Sequence, residues 1–310
     1  MDKDRLLAKF GEVVDISPGS TSYFSTPDAG LDPNLFSGNR IKPWVRNNIT
    51  RLLFDHLSLE YSGPSKWAHV WLAGSGVSYQ WSAHRDPGDL DCLVGINYPL
   101  FRQHNLEYAG LSNAEIASMF NEGFNEDLLP ETKSWNGYEL TYYVNPQSDI
   151  KDINPYAAYD LTEDTWTVEP SPSDHAPFSR AWEQQSNRDY NVAMELVSRY
   201  QLALADIKSA PNDAYRINAE RRLMLAVDQA VAVYDDIHAG RKEAFSSTGA
   251  GYYDFHNYRW QAGKKSGVVQ ALKAIKSYKD EVQKETQLDL YGVELPTART
   301  LIRRVAQKKK

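Results

Sequence analysis

Two short apolar runs, joined through a Gly-Ser-Gly turn and a pair of aspartates one residue apart, constrain this chain more than any other stretch. His69-Val70-Trp71-Leu72-Ala73 ends on Gly74-Ser75-Gly76, and Asp89-Leu90-Asp91 leads into Cys92-Leu93-Val94-Gly95-Ile96. Runs of this length bounded by glycine read as strands. Residues i and i+2 of a strand share a face, so Asp89 and Asp91 project side by side. Two carboxylates held that close repel unless a cation sits between them. Oxygen-only ligands suit a hard ion, and Mg²⁺ binds through one or two carboxylates plus substrate phosphates. The glycines let backbone N–H groups approach a phosphate closely. Asp86-Pro87-Gly88-Asp89 is also good turn chemistry, so Asp89 on its own reads equally as a turn residue.

Ala73-Gly74-Ser75, a 13-residue interval over 76–88, and Asp89-Leu90-Asp91 together resemble the nucleotidyltransferase superfamily, the polymerase-β-like fold. The family pattern is a hydrophobic residue, Gly, then Gly or Ser, a loop, and Asp-hydrophobic-Asp or Glu on the next strand, with a third carboxylate on a later one. Gly88 stands where many members place Ser, and the motif covers a small part of the chain. The resemblance implies an α+β fold, a nucleotidyltransferase-type mixed sheet with flanking helices, followed by a C-terminal α-helical domain. It also implies an NTP-dependent enzyme using two Mg²⁺ or Mn²⁺ ions, which moves a nucleoside monophosphate to an acceptor hydroxyl and releases pyrophosphate. Asp89 and Asp91 would hold the metals, and Gly74, Ser75 and Gly76 the nucleotide phosphates.

The third acid belongs on a later strand, and Tyr138-Glu139-Leu140-Thr141-Tyr142-Tyr143-Val144 is the best strand-like run downstream. Alternation puts Glu139, Thr141, Tyr143 and Asn145 on its more polar face, and Glu139 is the acid within it. Asp149 and Asp152, in a loop-like stretch before Asn154-Pro155, are the alternatives.

At 310 residues and 42% hydrophobic, the chain can bury two cores, expected over residues 1–170 and 171–310. No apolar run approaches a membrane span, and Met1-Asp2-Lys3-Asp4-Arg5 lacks the form of a signal peptide. The lone cysteine, Cys92, leaves no disulfide to form. A cytoplasmic protein without a membrane partner is the expectation.

The net charge of −7 is uneven: residues 258–310 hold 13 Lys or Arg against 5 Asp or Glu, and residues 105–175 hold 14 acids against 2 bases. The basic segment, with Tyr258, Arg259 and Trp260, suggests a stacking platform for an RNA acceptor; the acidic one favours a cationic small molecule. Lys264 and Lys265, read as the start of a helix, are candidates for the triphosphate, as are His84 and Arg85 in the loop before the acids. A catalytically inactive nucleotide- or RNA-binding module with the same fold is the rival reading.

Helical spacing is expected from Pro43 to Leu57, with Trp44, Ile49, Leu52, Leu53 and His56 near one face, and over 112–129 with Ser112 as cap. Trp166-Thr167-Val168 reads as a short strand. After the polar, proline-containing run from Glu169 to Asp174, helices are expected along Val192–Ile207, along Leu223–Ile237 with an end near Gly240, along Val268–Val282, and over 297–306.

Overall fold

The computed structural model describes residues 14–19, 21–24, 28, 30–84, 88–147, 149–171, 179–293 and 296–307. The first thirteen residues, Arg85, Pro172 to Asp174 and the Lys308-Lys309-Lys310 tail lie outside them. The chain is α+β and divides into two compact units, one built on a mixed sheet (22–175, 245–251 and 296–310) and one helical (1–21, 176–244 and 252–295).

In the sheet unit, a two-stranded hairpin, β1 (Phe36–Ser37) and β2 (Arg40–Ile41), precedes helix α1, Pro43–Glu60. Proline suits the first turn of α1, where its missing N–H has no helical partner to lose. Val45, Ile49, Leu53 and Leu57 are buried on one stripe, and each such aliphatic contributes about 1.5–3 kcal/mol. Trp44, expected on that stripe, is instead exposed and stacks on Trp135, ring centroids 5.8 Å apart.

Strands β3 (Ala68–Ala73) and β4 (Leu90–Ile96) run antiparallel, with Ala73 opposite Asp91. A parallel neighbour for β4 requires a crossover. It is supplied by α2 (Tyr98–His104), α3 (Asn113–Gly123), a π-turn at Phe124–Leu128 and the short α4 (Leu129–Thr132). Ser112 and Glu115 form a reciprocal capping box at the start of α3. Strand β5 (Leu140–Tyr143) then pairs parallel to β4, bringing Thr141 opposite Asp91. Strands β6 (Ala158–Asp160) and β7 (Thr165–Val168) complete the order β5-β4-β3-β6-β7.

One face of the sheet meets α1, where the Tyr142 hydroxyl donates to the carbonyl of Ile49 at 2.8 Å. Cys92 is fully buried, and burial pushes its thiol pKa well up, which leaves it inert. The opposite face carries Trp71, Ala73, Leu93 and Ala158, packed with Ile150. By alternation from Ala73 and Leu93, Asp91 belongs to this second face.

The helical unit contains α5 (Arg180–Lys208), α6 (Asp213–Ala244), α7 (Phe255–Ser266) and α8 (Val268–Tyr291). Its core includes Leu196, Tyr200, Leu204, Leu223, Val227, Leu272 and Ile275. Helix α6 continues past Gly240, which is itself buried, to Ala244. Val192 is exposed, while Ala193 and Val197 face the core in its place.

The last helix, α9 (Ala298–Gln307), departs from a single cut at residue 170, because it packs in the sheet unit. Arg299 is buried there and pairs with Glu60 at 3.0 Å, Glu126 at 3.2 Å and Asp127 at 2.6 Å. Its backbone N–H donates to Glu122 at 2.8 Å, and Arg303 adds a second contact to Glu60 at 3.1 Å. Burial works against the Arg299 charge, but Asp127 and Glu60 outweigh it and raise its pKa. Among the described residues, no helix is long and apolar enough to cross a membrane.

Candidate functional site

The turn after β3 is built for close approach. Gly74 sits at φ +88°, ψ −158°, backbone space that side chains disfavour. Its N–H donates to the carbonyl of Ala157 at 2.9 Å. That donor is therefore committed to the sheet and is not available to a phosphate, which corrects the expectation for Gly74. Residues Ser75–Val77 form one 3₁₀ turn, closed by Ser78 N–H on the Ser75 carbonyl at 3.2 Å and reinforced by the Ser78 hydroxyl at 2.8 Å. The N–H groups of Ser75 and Gly76 have no intramolecular acceptor among the described residues. A β-carbon at Gly76 would stand 2.6 Å from Leu90 Cδ2 and 3.0 Å from the Asp89 carbonyl oxygen. A larger residue at 76 would crowd the entry to β4, so glycine lets the turn lie directly against it.

The three candidate acids lie at two neighbouring strand entries. Asp91 is half-buried, and its Oδ1 accepts from the Thr141 hydroxyl at 2.9 Å. Its Oδ2 lies 3.7 Å from the place a β-carbon of Gly74 would take. Asp89 is exposed immediately before β4, and Glu139 is exposed immediately before β5. The Leu90 N–H donates to the Glu139 carbonyl at 2.8 Å, so the two strand entries are hydrogen-bonded side by side. From the Asp91–Thr141 register, alternation assigns Asp89 and Glu139 to the same face as Asp91. Of the alternative acids, Asp149 accepts from the Lys151 N–H at 2.9 Å and caps the turn Ile150–Asp152, while Asp152 is exposed.

Among the described residues, no three His, Cys, Asp or Glu side chains close into a metal cage. What stands at the strand entries is a partial, oxygen-only set beside a turn with two amide donors. Such a donor set fits Mg²⁺ or Mn²⁺, which complete their shells with water and substrate phosphates, and it does not fit zinc.

Several cationic and aromatic candidates have other work. Lys264 and Lys265 lie in the last turn of α7, not at the start of a helix. The groups presented there are carbonyls: Lys264 O accepts from Gly267 N–H at 3.2 Å, and Lys265 O accepts from Gly19 N–H at 3.0 Å. A helix C-terminus disfavours a triphosphate. Tyr258, Arg259 and Trp260, expected as a stacking platform, belong to α7 as well. Trp260 is 7% exposed and packs with Tyr234 and His238, and Arg241 lies 4.8 Å over its ring. Lys276 and Lys279 pair with Asp235 at 2.7 Å and Asp228 at 2.8 Å. His84 is exposed, and its backbone N–H donates to Ser82 Oγ at 3.4 Å.

Two contacts on the acid-bearing face escape the sequence. Thr141 could be placed on the face of Glu139 by alternation, but its partner Asp91 depends on strand register. The His69 ring meets Asp160 Oδ2 at 2.7 Å, and Asp160 Oδ1 accepts from the N–H groups of Thr162 at 2.9 Å and Glu163 at 2.8 Å. No sequence spacing announces that pair. No protein-family model, no curated protein and no solved structure matches the chain.

Proposed function

We propose that the protein is a metal-dependent nucleotidyltransferase of the polymerase-β-like fold, moving a nucleoside monophosphate from an NTP to an acceptor hydroxyl. The observation that carries this reading is the seating of the Gly74-Ser75-Gly76 turn on the entry to the strand that bears Asp91, with Gly74 beside Oδ2. Anion donors and carboxylates then meet at one place, as a metal–triphosphate complex requires.

Asp89 and Asp91 would hold Mg²⁺, with Glu139 assisting from the neighbouring strand entry. When bound, the metal neutralises charge on the departing pyrophosphate and lowers the pKa of the acceptor hydroxyl. Ser75 and Gly76 would orient the phosphates through their N–H groups, and the Thr141 hydroxyl would help to orient Asp91. Phosphoryl transfer depends mainly on such positioning and electrostatics. Among the cations that suggested an RNA acceptor, Arg259, Lys276, Lys279 and Arg299 pair with carboxylates of the chain itself, so the proposal extends to a hydroxyl acceptor and not specifically to RNA.

Incubation with each labelled NTP, Mg²⁺ and a panel of hydroxyl acceptors should release pyrophosphate. Asp89→Asn and Asp91→Asn should each lower turnover about a thousandfold, roughly 4 kcal/mol of transition-state stabilisation, while the far-UV spectrum is kept. Near-normal turnover in either variant removes the metal-site assignment. Nucleotide binding without pyrophosphate release would instead favour the inactive binding module.

A further inference from the structure

We infer that Thr141 is the positioning residue that aims Asp91 at a divalent cation shared with the nucleotide phosphates, an inference that rests on the reading above and refines it. Thr141 is the register partner of Asp91 on the parallel strand. Its hydroxyl has two acceptors in range, Asp91 Oδ1 at 2.9 Å and the Leu90 carbonyl at 3.5 Å. A hydroxyl has one hydrogen to give, and the shorter, charge-assisted bond takes it. Threonine is stiff at χ1, and the strand fixes its backbone, so the donor is held in place before any ligand arrives.

The bond holds Oδ1 on the β5 side, while Oδ2 lies toward Gly74, 3.7 Å from the place its β-carbon would take. Gly74 leads directly into the turn whose Ser75 and Gly76 amides have no acceptor among the described residues. A cation taken by Oδ2 would therefore face the phosphates those amides bind. A neutral hydroxyl in this position also has a consequence for charge. It orients Asp91 without adding a third negative group directly beside it, so the site is not made costly when no metal is bound. Partners that orient a metal ligand in this way typically change metal affinity by 10–100-fold when removed.

The test is a titration of Mn²⁺ into the full chain with a non-hydrolysable ATP analogue, read by the electron paramagnetic resonance of free Mn²⁺, alongside thermal melts. Thr141→Val, nearly the same shape without the hydroxyl, should weaken Mn²⁺ binding about tenfold with little change in melting, and Thr141→Ser should restore it. Asp91→Asn should remove the nucleotide-coupled Mn²⁺ site altogether. If Thr141→Val binds Mn²⁺ like the wild type while Asp91→Asn does not, the Thr141 inference fails and the site stands. A wild type that binds no Mn²⁺ with the analogue overturns both. Should Thr141→Val not fold, Thr141→Ala carries the same comparison.

Discussion

The α7 cluster and the turn at Gly74 both place potential ligand-binding groups close together in sequence, and the fold uses them in opposite ways. In α7, Arg259 donates from Nε to Asp189 at 2.7 Å, from Nη2 to the other Asp189 oxygen at 3.0 Å, and from Nη1 to Asp236 at 2.6 Å. Trp260 is core. At Gly74, the Ser75 and Gly76 amides have no acceptor among the described residues, and Asp89 and Glu139 are exposed. Charge density along a sequence thus says little about binding. What separates the two regions is whether the partner of each polar group is another part of the chain.

Breaking the internally paired side should cost stability and leave nucleotide chemistry alone. Arg259→Ala strands Asp189 in a site where both side chains are about one-eighth exposed. The expected loss is about 3 kcal/mol in a urea titration, with nucleotide affinity unchanged under folding conditions. A loss of nucleotide affinity at constant stability would move Arg259 from the scaffold to the site.

A second paired carboxylate sharpens the contrast within the sheet itself. Burial alone would raise the pKa of Asp160, but hydrogen bonds from His69, Glu163 and Thr162 outweigh it and hold the pKa below its ordinary value. A depressed carboxylate stabilises the fold above its unfolded pKa of about 3.9, and that contribution is lost as pH falls through the lower folded value. Asp160→Asn should therefore cost about 2 kcal/mol at neutral pH, with the gap to wild type narrowing below about pH 4. Melting curves across that range decide it, and a gap that stays constant would contradict the assignment.

The smallest effect is expected at Lys264 and Lys265. Their alanine variants should lose no more than about 0.5 kcal/mol, the scale of a cation near a helix C-terminus, and bind ATP as the wild type does. A tenfold weaker ATP affinity would return them to the nucleotide site.

The sequence made the strands around the candidate site legible because each is an apolar run with a sharp glycine or aspartate boundary. The long helices α5, α6 and α8 were legible from their periodicity. Strand β6 was not, since Ala158-Tyr159-Asp160 is three residues long and buried throughout, so it shows no alternation. Helix α7 was hidden by its own composition: glycines at 249 and 251 precede a run of aromatics, and the combination imitates a loop. Its one local signal was Asp254, whose side chain accepts from the His256 N–H at 2.8 Å and caps the helix. At the site, residue types and strand faces could be read, whereas the loss of the Gly74 donor and the gain of Thr141 follow from neighbours supplied by other strands.

The Arg299 ion pairs have a temporal consequence. Arg299 and Glu60 are 239 residues apart, with the helical unit lying between them in the sequence. As the chain leaves the ribosome, the carboxylates of Glu60, Glu122, Glu126 and Asp127 emerge long before the arginine that joins them. Closing so long a loop is slow and entropically costly, while domains generally fold as units during synthesis. The sheet therefore begins life with an unneutralised acidic seam, and the arrival of α9 is the step that seals it.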